Sequence, residues 1–282
     1  MNEQLQLRIA GYWRQKRGIE SIDHGHEVVL VRASLDELFD CLKTDALEAK
    51  YDVVGSTIMV RGPFTLTYQL SEHVWSAIVP AHIYPRPRYP EVLQSDGLLQ
   101  LSKYFEQPVI KLIVSTGGTV GYVIFDMGEF VEYFSGIEDR VLEDPNVREL
   151  RIGEYTLDCQ QYSLFPYPDD FEEDDENEGH QTAFFWSTRR SVTAEEIGSI
   201  WGFANGLLFE YEAFDLAAPI GYFLEPPGKS RWWGEPERGH YYRVRVPKMT
   251  AFLPSDNEDN KNYQRIESEP NLVGIDYFRW GS

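Results

Sequence analysis

Cysteine is scarce: the 282 residues hold two, Cys41 and Cys159, and neither sits in a C-x-x-C pair. Thiolate metal clusters and dithiol redox motifs are thereby excluded, and two reduced thiols are expected. Long apolar runs are missing too, since Gly, Pro or a charge interrupts every stretch before the ~20 residues of a helical membrane span. The first residues carry Arg8, Arg14, Lys16 and Arg17 and no apolar segment of signal-peptide kind. No N-x-S/T acceptor occurs. The expectation is a soluble, cytoplasmic chain without membrane contact.

Complete chemical signatures are absent as well. There is no G-x-S-x-G and no H-E-x-x-H. Gly228-Lys229-Ser230 has the ending of a phosphate loop, but Phe223 stands where its first Gly is required and Pro226-Pro227 lead into it. Gly117, Gly118 and Gly121 lack the G-x-G-x-x-G order. His24 and His26 alternate and would share one face of a strand, yet two imidazoles do not complete a metal site. Asp256, Glu258, Asn260 and Glu267 match part of a calcium-loop spacing, with Lys261 in the place of the turn glycine. Neither a metal nor a cofactor is expected, and no catalytic residue is assigned.

Basic charge is the remaining deficit. The chain has 26 Lys and Arg against 46 Asp and Glu, a net charge of −20 spread over both halves. Such a field disfavours phosphate-mediated nucleic-acid binding and favours solubility or a basic protein partner.

What is plentiful is core material: 42% hydrophobic residues, including 16 Phe, 17 Tyr and 7 Trp. A chain so composed folds. Residues 3–18 have the spacing of an amphipathic helix closed by Gly18. A strand is expected at 27–32, followed by a helix that Ser34 and Glu37 open with a capping box and whose stripe is Leu35, Leu38, Phe39 and Leu42. Strands Tyr51–Val54, Thr57–Arg61, Phe64–Leu70 and Val74–Val79 then form a meander. After the rigid loop Pro85-Arg86-Pro87-Arg88-Tyr89-Pro90, whose polyproline character could also suit an aromatic groove, Ser95 or Asp96 starts a helix that cannot pass Pro108. Val109–Ser115, Val120–Asp126 and Glu129–Phe134 follow as successive hairpins, turning at Gly117-Gly118 and Met127-Gly128.

Residues 166–180 hold Asp169, Asp170, Glu172, Glu173, Asp174, Asp175, Glu176 and Glu178 with no balancing base, the pattern of an extended linker or long surface loop. Beyond it come a strand at 182–187, a helix capped by Thr193 with Glu196 and running to Gly206, and strands at 207–214, 221–224, 241–246 and 275–280. Strands outnumber helices and follow one another without crossovers. The fold expected is therefore α+β, a mainly antiparallel sheet with a few short helices. It is divided either into lobes 1–165 and 181–282 joined by 166–180, or into one continuous domain.

One segment departs from the acidic background. In 229–248 the bases Lys229, Arg231, Arg238, Arg243, Arg245 and Lys248 interleave with Trp232, Trp233, Tyr241 and Tyr242. Arg231, Trp232, Trp233, Arg238, His240, Tyr241 and Arg243 are the candidate binding residues, since Trp, Tyr and Arg dominate binding hot spots, although a half-buried strand and its loop would look the same. The function expected is a non-enzymatic acidic interaction module, an inhibitor, immunity-type or regulatory protein that binds a basic partner. The alternative is an enzyme or ligand-binding protein with a pocket assembled around 229–248. The sequence sets no oligomeric state.

Overall fold

Strand β1 (Glu27–Val31) takes the middle of a large sheet, and its four consecutive aliphatic residues are buried because both sheet faces are covered. In the computed structural model, the residues described are 27–59, 64–71, 73–80, 93–114, 119–137, 149–152, 155–164, 181–213, 220–224, 241–245, 249–251, 263–266 and 272–280. After β1 come helix α1 (Leu35–Leu42) and strands β2 (Glu48–Lys50), β3 (Thr57–Met59), β4 (Phe64–Leu70) and β5 (Ser76–Pro80). Helix α2 (Ser95–Phe105) leads into β6 (Val109–Val114), β7 (Thr119–Asp126), β8 (Glu129–Ile137), β9 (Glu149–Ile152), β10 (Tyr155–Asp158), β11 (Gln160–Leu164) and β12 (Gln181–Ser187). Helices α3 (Ala194–Ile197) and α4 (Ile200–Glu210) precede β13 (Ile220–Leu224), β14 (Tyr241–Arg245), β15 (Met249–Ala251), β16 (Tyr263–Ile266) and β17 (Leu272–Arg279).

Ten strands form one sheet in the order β11-β12-β8-β7-β6-β1-β5-β4-β17-β2, every neighbouring pair antiparallel. The expected antiparallel sheet with few short helices is what the described residues show. Strands on either side of the acidic run 166–180 share this sheet, β12 next to β8 and β17 next to β4. Smaller antiparallel groups are β9 with β10, β13 with β14, and β15-β16-β3.

The two faces of the sheet carry separate cores. On one, Leu38 and Leu42 of α1 and Leu98 and Leu101 of α2 pack over Val29, Val31, Ile78, Val109, Phe125 and Phe278. On the other, Ile200, Ala204, Leu207 and Leu208 of α4 cover Leu30, Leu112, Tyr122, Phe134 and Tyr68. Each fully buried Leu or Ile is worth roughly 1.5–3 kcal/mol in transfer free energy. The opposed helices are what remove both sheet faces from water.

Local chemistry is followed closely in several places. Ser34 and Glu37 form the capping box of α1, and Thr193 and Glu196 that of α3. Met127 (φ 51°) and Gly128 (φ 81°) make the β7–β8 turn with both central residues left-handed, the twist a tight hairpin needs. The β6–β7 hairpin is present by its pairing, while its turn at Gly117-Gly118 lies outside the described residues, as does the segment 3–18.

Four local expectations are corrected. Tyr51–Val54 is not a strand: Asp52 has φ 42°, which no ladder residue adopts, and the strand ends at Lys50. Val74 belongs to the turn before β5, whose first residue is Ser76. The meander at 51–79 is also broken, because the C-terminal β17 inserts between β2 and β4, and β3 pairs with β16 in another sheet. Finally, one helix from Thr193 to Gly206 followed by a strand at 207–214 is replaced by two helices. Gly198 (φ 59°) ends α3, Ser199 caps α4 afresh, and α4 runs through Gly206 to Glu210. Burial decides it, since Ile200, Ala204, Leu207 and Leu208 share one helical face against the sheet.

Candidate functional site

In β4 the residues alternate, with Phe64, Leu66 and Tyr68 on the α4 side and Thr65, Thr67 and Gln69 on the α1 side. Such alternation ordinarily leaves the polar side in water. Here α1 and its flanks cover it, and all three polar side chains are buried. Buried polar groups need partners. Gln69 accepts from the Leu35 N–H in the first turn of α1 (3.2 Å) and donates to the His73 carbonyl (2.8 Å). Ser76 donates to the Ala33 carbonyl (2.8 Å), and Trp280 donates to Thr65 (3.2 Å).

Two members of this seam are incompletely partnered. Thr67 and Asp276 stand opposite each other in the β4–β17 pair, both 0% exposed. The Oδ1 atom of Asp276 accepts from the Asp52 N–H (2.8 Å), whereas its Oδ2 and the Thr67 Oγ1 have no protein partner. Burial pushes the Asp276 carboxyl up to about 7; the Asp52 N–H opposes that rise, and the charges of Asp52 and Asp36 reinforce it. The loop that supplies Asp52 is held on β17 by the Val53 N–H to the Ile275 carbonyl (2.6 Å), and on α1 by the Tyr51 hydroxyl donating to Asp36 (2.9 Å).

Outside the seam, α1 and the segment after it form an acidic face. Asp36, Glu37, Asp40, Asp45 and Asp52 are exposed, and Glu48 is half-buried. Lys43 pairs with Asp40, and Lys50 and Arg279 pair with Glu48 (both 3.1 Å). Among the described residues no ion pair engages Asp36, Glu37, Asp45 or Asp52. Tyr51 and Leu47 protrude from the same segment, 59% and 64% exposed.

The other concentration of charge is on the α4 side. Glu132 of β8 is buried, and Arg190 meets it with two guanidinium bonds of 3.0 and 2.7 Å. Tyr122 donates to the same carboxylate (2.8 Å), and Phe185 and Phe203 flank the guanidinium at 5.7 and 5.5 Å. The neighbouring Arg189 pairs with Asp126. Glu132 holds the Arg190 guanidinium firmly charged, while burial and the Glu132 charge raise the Tyr122 phenol well above its ordinary value. A neutralised pair of this kind pins the 188–192 connection to the sheet; it offers no free base or acid for chemistry.

Of the residues singled out by sequence, Arg231, Trp232, Trp233, Arg238 and His240 lie outside the described residues. Tyr241 and Arg243 fall on β14, opposite Leu224 and Tyr222 of β13, and only their backbone is described. His24, His26, Gly228 to Ser230 and the partial calcium-loop spacing 256–267, apart from Tyr263–Ile266 of β16, also lie outside, as does the acidic run 169–178. Among the described residues no group of three or more His, Cys, Asp or Glu is placed to hold a metal ion. No described helix is long and apolar enough to cross a membrane. The signal for the acidic face is present in the sequence as six acids against two bases over residues 36–52, a weaker excess than the run at 169–178. Asp276, a lone acid within Gly-Ile-Asp-Tyr-Phe, was equally legible as an oddity.

No family model, no curated protein and no solved structure matches this chain.

Proposed function

We propose that the protein is a non-enzymatic interaction module that binds a basic protein partner through the acidic face of α1 and residues 43–52. The observation that carries this reading is the combination of four exposed carboxylates with no ion pair among the described residues, Asp36, Glu37, Asp45 and Asp52, with the exposed Tyr51 and Leu47. Charges of one sign steer a cationic partner, and an aromatic and a leucine beside them supply the apolar contact that charge alone lacks.

The test is affinity capture from an extract of the native host, comparing the parent with an Asp36→Lys, Asp45→Lys variant. A basic polypeptide should be retained by the parent, released as salt rises, and lost in the variant. Retention that ignores both salt and charge reversal would remove the acidic face from the function.

A further inference from the structure

Asp276 is an ionisable group that the docking reading does not use. Its Oδ2 has no protein partner, and neither has the hydroxyl of Thr67, its cross-strand neighbour. The Asp52 N–H of the loop donates to its Oδ1, and Asp36 of α1, which accepts from the Tyr51 hydroxyl, acts on it through its charge. The charges that bear on it, Asp52 and Asp36, are both negative. A sealed carboxylate with one oxygen lacking a donor must either keep its proton or reach water. The loop Tyr51–Ser56 is tied against it by the Asp52 N–H, to β17 by the Val53 N–H and to α1 by the Tyr51–Asp36 contact.

We propose that Asp276 is a proton-held latch: protonated, it keeps the Tyr51–Ser56 loop closed on β17 and α1, and when its proton passes to water the loop lifts and the carboxylate is hydrated. With its proton the carboxyl is neutral and its Oδ1 still accepts from the Asp52 N–H, so no uncompensated charge is buried. Without it, the carboxylate faces Asp36 and Asp52 with no cation. The Asp52 N–H favours the ionised form, but burial outweighs it, which is why the carboxyl rises from 3.8 to about 7. Closure thus retains a proton that the open loop releases. The stabilisation of the closed form is full below the ordinary carboxylate range and is lost as pH rises to about 7, beyond which it levels off. Because Tyr51 and Asp52 belong to the acidic face, the latch would present that face more freely near neutrality than in mild acid; only this consequence rests on the proposed docking function.

Hydrogen exchange of the Asp52 and Val53 amides, followed by NMR on the full chain and corrected for intrinsic base catalysis, reads the latch directly. Opening should increase by up to about tenfold per pH unit between the ordinary carboxylate value and about 7, and then stay flat. Asp276→Asn keeps the acceptor for Asp52 and cannot ionise, so its exchange should show no such slope. A flat profile in the parent, or the same slope in Asp276→Asn, overturns the latch. Should that variant not fold, a carbon-13 titration of the Asp276 carboxyl in the parent decides: a midpoint near 7 supports the latch, and one in the ordinary carboxylate range overturns it. Binding of a decalysine probe on both sides of neutrality separates the two proposals. Loop opening without probe binding keeps the latch and counts against the acidic docking face, and probe binding with a flat exchange profile does the reverse.

Discussion

At the scale of single residues, the decisive question for each buried charge is what remains when its partner is removed. Arg190 and Glu132 form a two-pronged pair, but they are not equally enclosed: the Arg190 side chain is 37% exposed and that of Glu132 only 5%. Losing Glu132 leaves a guanidinium that can turn toward water. Losing Arg190 leaves a carboxylate that cannot, with the Tyr122 hydroxyl as its remaining support. Breaking a buried pair from the side that strands the charge costs roughly 3–5 kcal/mol. Arg190→Met should therefore lower stability by about 3 kcal/mol or more, and Glu132→Gln by distinctly less, in denaturant unfolding. Equal losses would mean that the pair is less asymmetric in solution than its burial indicates.

Between elements, α4 comes close to β8 at a glycine. Gly136 lies on β8 under Ile200, and a Cβ added there would overlap the Ile200 side chain. The missing side chain lets the first turn of α4 rest on the sheet, and Phe203 then reaches Phe134 and Phe185 with ring centroids 4.8 and 5.8 Å apart. Overpacking a site like this costs typically 1–3 kcal/mol. Gly136→Ala should lose stability in that range, and should cost less in an Ile200→Ala background, which removes the overlapping Cγ2, a non-additivity that a double-mutant cycle measures. If the two changes simply add, the helix is not seated on Gly136.

For the whole molecule, the strand order binds distant parts of the chain. A fragment ending at residue 165 would lack β12, α4 and β17, leaving β8 and β4 with unpaired edges and the α4-side core bare. A fragment starting at 181 would lack β8 and β4, the partners of β12 and β17. Expressed separately, neither 1–165 nor 181–282 should show the cooperative unfolding that the intact chain shows in calorimetry. Cooperative unfolding of either fragment alone would establish an independent lobe.

The sequence by itself determined the features that act over a few residues. Ser34 with Glu37 and Thr193 with Glu196 place helix starts, Met127-Gly128 turns a hairpin, and Pro108 bars further helix after α2, because caps and turns are made by neighbours in the chain. It was misleading where a short apolar run suits two conformations. Leu207 and Leu208 read as a strand and became helix once their side chains found the sheet. Tertiary structure alone decided that β17, from the far end of the chain, would part β2 from β4, since strand order is chosen by pairing and core coverage and leaves no local signal. It also decided the fate of Asp276. As a residue in a strand it could have faced water like any aspartate; in the folded chain burial, reinforced by two like charges and opposed by the Asp52 N–H, pushes its carboxyl up to about 7.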